Sequence, residues 1–286
     1  MVYRRDFRRN PATVRRRPGL TITNTLILIN VVLFFIFILL LKLNVPLDLI
    51  AVVPSNILVG KNLWTLFTSM FAHDPSGILH IFFNMLSLFF IGSLTERIIG
   101  RKRFLWFYLI AGIVGSLFFV LFAYLGQSIP NGEFLFGKVN TPAVGASGAI
   151  FGLLGILATL LPTKRVYLIV GPLIVIVFQV LFSNKSFSGY INMIGGILIL
   201  LMIFSMFSQN KILRRIALPL NLPFWAAPII AIVPLMVIGY FLGLKGTELP
   251  IGNTAHLGGL VAGLFYGAYL RNKYRQKVKM VNRMIR

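Results

Sequence analysis

Cysteine is absent from all 286 residues, which excludes disulfides, thiolate metal sites and cysteine nucleophiles together. Acidic residues are scarce too, six Asp and Glu against 28 Lys and Arg, with only three histidines. So few carboxylates and imidazoles leave a poor donor set for a dedicated metal ion, and no metal or cofactor is expected. Charge of either sign makes up 12% of the chain, whereas 57% is hydrophobic. Soluble domains carry roughly a quarter charged residues, so the composition predicts an all-α, polytopic transmembrane helical bundle.

What is present fits that class. Runs of about 20 apolar residues cross a bilayer as helices, and eight candidates are found at 25–43, 78–95, 104–125, 147–162, 166–182, 190–207, 223–243 and 254–270. The fourth and fifth are split because Thr163-Lys164-Arg165 would otherwise lie in hydrocarbon. The expected organisation is a basic arm at 1–20, a membrane domain at 21–270 and a basic tail at 271–286.

A formal charge of +22 would suit nucleic acid, but its distribution argues for topology instead. With the N-terminus cytoplasmic, 23 of the 28 Lys and Arg fall in alternate, inner segments, as the positive-inside rule requires. Both termini are then cytoplasmic, the charge faces anionic lipid, and no nucleic-acid partner is expected. The outer loop 44–77 is rich in Leu, Val, Ile and Phe and contains Trp64. It should fold back at the interface as short amphipathic helices. A second outer loop, 127–146, carries Pro130, Gly132, Gly137 and Pro142 and reads as flexible.

Strongly polar groups inside a span are costly and therefore candidates for function. His80 and Asn84 stand four apart on one face of the second span. Ser147 opens the fourth span within Gly145-Ala146-Ser147-Gly148-Ala149-Ile150-Phe151-Gly152, and His256 opens the eighth. All three spans run in the same direction, so the four side chains share one depth near the outer surface. Gly148 with Gly152, and Gly259 with Gly263, form G-x-x-x-G pairs that let helices approach closely. Contact between spans four and eight would bring His256 to Ser147, which needs an adjacent base to act as a nucleophile. The Ser147 N–H with His80 and Asn84 could hold an oxyanion. His73 reads as a loop or structural residue, and Glu96 as a local partner of Arg97. Phe82, Phe83, Phe89 and Phe90 read as lipid-facing or core residues.

These residues resemble the rhomboid family of intramembrane serine proteases. The resemblance is carried by Gly145-Ala146-Ser147-Gly148, by His80 with Asn84, by Ala255-His256 with Gly259 and Gly263, and by Trp64 with Thr68-Ser69-Met70-Phe71-Ala72-His73. It implies a Ser147–His256 dyad, oxyanion side chains His80 and Asn84, and supporting roles for Gly145, Gly148, Phe151 and Gly259. It also implies a structural role for Glu96, transmembrane-helix substrates cut near their outer ends, and a prokaryotic cell membrane as the location. The alternative is a catalytically silent membrane-client binding protein. Two departures stand out: Trp64 is followed by Thr65 where the family commonly has Arg, and Phe151 stands where Tyr is frequent. A third is length, since 109 positions separate Ser147 from His256. The resemblance therefore implies a six-helix core with an inserted helical hairpin at 166–207, whose two crossings would keep His256 on the side of Ser147.

Overall fold

The computed structural model describes residues 20–74, 78–182, 187–246 and 252–284. All of the expected arm except Leu20 lies outside them. The principal helices are α1 (Ile22–Lys42), α2 (Ile78–Ile99), α3 (Arg101–Gly126), α4 (Ser147–Leu160), α5 (Gly171–Leu181), α6 (Ser188–Met206), α7 (Ala227–Gly243), α8 (Asn253–Lys273) and α9 (Arg275–Met284). Among the described residues, α1, α2, α3 and α6 are long and apolar enough to cross a membrane, while α4, α5 and α7 are shorter apolar helices.

The bundle is built around α4. Ala149, Ile150, Leu153, Leu154, Ile156, Leu157 and Leu160 are all buried, so this helix is apolar all round because neighbours cover every side. Its 14 residues reach about 21 Å at 1.5 Å per residue, whereas a hydrocarbon core is about 30 Å thick. The 26 residues of α3 extend about 39 Å. Gly115 of α3 lies against Gly148 of α4, and α3 runs on for 11 further residues to Gly126, so the Ser147 end of α4 stops below the level that α3 reaches. By contrast, α6 leaves Tyr190, Met193, Leu200 and Phe204 exposed, as a lipid-facing helix should.

Glu96 corrects the sequence expectation. It does not serve Arg97 but accepts hydrogen bonds from the first turn of α1: Thr23 N–H at 2.8 Å, Thr23 Oγ1 at 2.7 Å and Ile22 N–H at 3.1 Å. Arg101 lies 3.5 Å from the same carboxylate. The first N–H groups of a helix have no internal partner and carry its positive dipole end, so they compete well for a buried carboxylate. A π turn at Leu88–Gly92 puts one extra residue between Asn84 and Glu96. It thereby rotates the two halves of α2 relative to each other.

The fifth expected span is also corrected. Residues 166–182 do not form one helix: Arg165–Ile169 is a strand, β1, paired antiparallel with β2 (Pro219–Pro223), Arg165 opposite Pro223 and Ile169 opposite Pro219. Val166, Tyr167, Leu168 and Ile169 are β-branched, aromatic or apolar residues that suit a strand. Gly171-Pro172 then starts α5, with Pro in the first turn where its missing N–H costs nothing. Arg165 fastens the pair through Asn221 Oδ1 at 2.9 Å and Asn221 O at 2.8 Å. At 11 residues, α5 extends about 16 Å, too short for a full crossing.

The 44–77 loop carries short helices at Pro54–Leu58 and Thr65–Thr68. No arginine follows Trp64, and the loop is held instead by Asp48, whose carbonyl accepts from Asn62 at 2.9 Å and whose carboxylate accepts from Asn56 at 3.2 Å. Trp64 donates its indole N–H to Leu49 O at 2.9 Å. The 127–146 loop, read as flexible, is docked: Val52 bridges Ala143, and Phe134 packs on Gly243 of α7. The basic tail continues α8 to Lys273 and then folds back as α9, where Asn282 donates to Leu160 O at 2.7 Å.

Candidate active site

The glycine stripes set the distance between α4 and α8. A methyl group on Gly259 would collide with the carbonyl oxygen of Gly148, and one on Gly263 with that of Gly152. The backbones therefore touch, as small-residue pairs in membrane helices allow. A third helix joins them: a methyl on Gly115 of α3 would lie 3.0 Å from Ala255 O and 3.4 Å from Gly148 Cα. This third participant is missing from the sequence reading. Its signal was the run of small residues Ala111, Gly112, Gly115 and Ser116.

That packing brings together the two residues expected to react. His256 Nε2 and Ser147 Oγ are 2.8 Å apart, a hydrogen-bond distance. Phe151, one turn along α4 from Ser147, stacks on the imidazole with ring centroids 4.4 Å apart and 13° between planes. Ser147 is the first residue of α4, and His256 lies in the first turn of α8. Both consequently sit at the same end of the bundle.

His80 and Asn84 arrive from α2 on the other side. Gly145 lies against both: a side chain there would come within 3.0 Å of His80 Nε2 and 3.7 Å of Asn84 Nδ2. Gly145 also adopts φ of 129°, a region open to glycine but costly for other residues. Its N–H donates to Ser69 O at 2.9 Å, tying the Ser147 loop to the first loop. Asn84 donates to the His80 carbonyl at 3.1 Å. His73 packs edge-on against His80 with centroids 5.3 Å apart, outside the reacting pair but next to it. Burial, together with the His80 ring, lowers its pKa to about 3, so it is a neutral packing residue.

Ser147, His256, His80, Asn84, Gly145 and Gly148 all line one cavity of about 610 Å³. All four polar side chains singled out from the sequence meet there, and none is displaced. The arrangement offers a hydroxyl beside a base, with amide and imidazole donors across the same space. Among the described residues no group of three or more His, Cys, Asp or Glu is placed to hold a metal ion.

Comparison with known proteins gives a match to the Rhomboid domain family model over residues 60–198 and 165–273, more than half of the chain. The two matched segments overlap from 165 to 198, where β1, α5 and the start of α6 lie. The rhomboid protease GluP of Bacillus subtilis (strain 168) is 31% identical over 211 residues, covering 68% of this chain and 37% of that protein. RHOMBOID-like protein 1 of Arabidopsis thaliana is 36% identical over 126 residues, 43% of this chain and 28% of the relative. Inactive RHOMBOID-like protein 8 of the same plant is 38% identical over 81 residues, 28% of this chain and 22% of the relative. The chain thus spans well under two thirds of the length of these relatives.

Proposed function

The chain belongs to the rhomboid family, an integral membrane protein of a protease lineage, and from that premise we propose that it is itself an intramembrane serine endopeptidase. The observation that carries the reading is the 2.8 Å contact between His256 Nε2 and Ser147 Oγ inside a cavity shared with His80 and Asn84. In the first half-reaction Ser147 Oγ attacks the scissile carbonyl carbon while its proton passes to His256 Nε2. The developing oxyanion takes hydrogen bonds from the Ser147 N–H, which has no partner within its own helix, and from His80 and Asn84. As the tetrahedral intermediate collapses, the leaving amine takes the proton from His256 and an acyl-serine remains. In the second half-reaction a water gives its proton to His256 and attacks the ester, and the proton returns to Ser147 Oγ.

The surroundings support a substrate class. A site below the level reached by α3 and walled by apolar helices meets peptide bonds inside the membrane. A helix must open locally there, since its own hydrogen bonds shield the carbonyl. On this reading cleavage falls near the outer end of transmembrane segments. The Lys and Arg distribution supports cytoplasmic termini, and a prokaryotic cell membrane is the proposed location. The hairpin is taken as an insertion into a six-helix core. The second reading, a silent client binder, has one observation in its favour: a matched relative is named inactive.

The test is proteolysis of a model transmembrane substrate in detergent by wild type and by Ser147→Ala. Cleavage by wild type alone is expected, together with labelling of Ser147 by a fluorophosphonate. Equal cleavage by both proteins would overturn the mechanism, and cleavage by neither favours the binder.

A further inference from the structure

The catalytic helices do not enclose the Ser147 cavity by themselves. Its walls include Phe83 of α2, Gly239 of α7, and Leu173 and Ile176 of α5. Those two residues are three apart, so they share one face of their helix, and both are only half-buried. The rest of α5 is committed elsewhere. Gln179 donates to Asn192 O of α6 at 3.1 Å, and a methyl on Gly195 would meet the Gln179 amide at 2.5 Å. At the root, Gly171 is wedged against Ala217 O and Met202 Sδ. The helix is thus held by its hairpin partner and by the Arg215–Ala217 turn, while half-buried Leu173 and Ile176 line the cavity.

We infer that the hairpin α5–α6 is a substrate-selecting wall, on which Leu173 and Ile176 pack against the transmembrane helix of the protein being cut. The inference rests on the protease reading and extends it, because it names a contact away from the reacting atoms. The occupant follows from continuity and chemistry. The surface runs without a break into the cavity of Ser147 and His256, and it presents branched aliphatic groups. Any chain whose scissile bond reaches Ser147 from the lipid lays its remaining apolar turns along that face. Burial of aliphatic groups is the interaction available there, and it discriminates by apolar area rather than by sequence. A polar segment in place of those turns would bind poorly.

Two measurements on the full chain test this. A photoreactive benzoylphenylalanine at position 173 or 176, in a Ser147→Ala background, should form adducts with the apolar segment of a model transmembrane substrate. Adducts from a probe at position 83 but none from 173 or 176 would overturn the inference. In kinetics, Leu173→Ala with Ile176→Ala should raise KM for that substrate about tenfold, the loss expected from two truncated aliphatic contacts, with a much smaller change in kcat. An unchanged KM contradicts the inference, as does a loss confined to kcat. If wild type and Ser147→Ala cleave alike, the protease reading fails on its own, and the cross-linking still decides whether the hairpin holds a transmembrane helix.

Discussion

The imidazole of His256 faces Ser147 through Nε2 at 2.8 Å, while its other nitrogen, Nδ1, is buried without a hydrogen-bond partner among the described residues. In a three-residue catalytic system a carboxylate orients the histidine through that second nitrogen. Here the ring is oriented by stacking, since Phe151 lies nearly parallel to it, 4.4 Å away.

In the proposed mechanism Phe151 is a positioning residue. Phe151→Ala should lower kcat by about 10²-fold, the cost of an ångström-scale misplacement, with KM nearly unchanged. Phe151→Tyr keeps the stack and should restore most of the rate. Equal activity of wild type and the alanine variant would show that the stack does not hold the ring.

Gly259 tests whether packing and catalysis are one feature. Gly259→Val places a branched side chain on the Gly148 carbonyl, forcing α8 away from α4. The expected loss of stability is about 1–3 kcal/mol, typical of overpacking, together with loss of cleavage in the protein that remains folded. Thermal unfolding and proteolysis measured on one preparation separate the two effects.

Glu96 serves the fold rather than the reaction. Glu96→Ala strips three acceptor contacts from the start of α1 and should cost about 2–3 kcal/mol, since hydrogen bonds to charged groups are the stronger kind. The specific activity of the folded fraction should stay within a few-fold of wild type. A fall in kcat without a shift in melting temperature would assign Glu96 a different role.

His73 predicts a pH effect on stability. Its pKa falls from 6.5 to about 3 in the folded protein, through burial first and the neighbouring His80 second, against a weaker opposing pull from the Phe71 backbone. Above 6.5 the ring is neutral whether the chain is folded or not, and it adds no pH dependence. Below 6.5 the unfolded chain binds a proton that the native site refuses, so stability drops as pH falls towards 3. At pH 5 the difference amounts to about 2 kcal/mol. Wild type should therefore lose melting temperature between pH 7 and pH 5 more steeply than His73→Gln, and parallel curves would contradict the assignment.

Much of the candidate site was legible because its signals are local or rare. A polar residue in a span is costly enough to notice, and His80 with Asn84 shows the helical spacing directly. The paired glycines of α4 and α8 told which helices would touch. What escaped depended on distant partners. Glu96 has an arginine beside it, and nothing local says that it will bond a helix start 73 positions away. Residues 166–169 are apolar, and periodicity alone cannot tell such a short run in a strand from a buried helix segment. Their partner at 219–223 lies beyond α5, α6 and the short helix Lys211–Arg214, and the proposed role of Leu173 and Ile176 depends on where that pairing sets them.

The β1–β2 pairing carries a consequence for the rest of the chain. Because Arg165 stands opposite Pro223, the polypeptide leaves the bundle and re-enters it at the same spot, whatever is looped out between. The pairing ties the approach to α7 to the end of α4, so the meeting of His256 with Ser147 should tolerate changes of length in the segment between the two strands. The segment should then behave as a cassette with fixed ends, whose face on the cavity, Leu173 and Ile176, can diverge with the substrate while the chemistry around Ser147 stays in register.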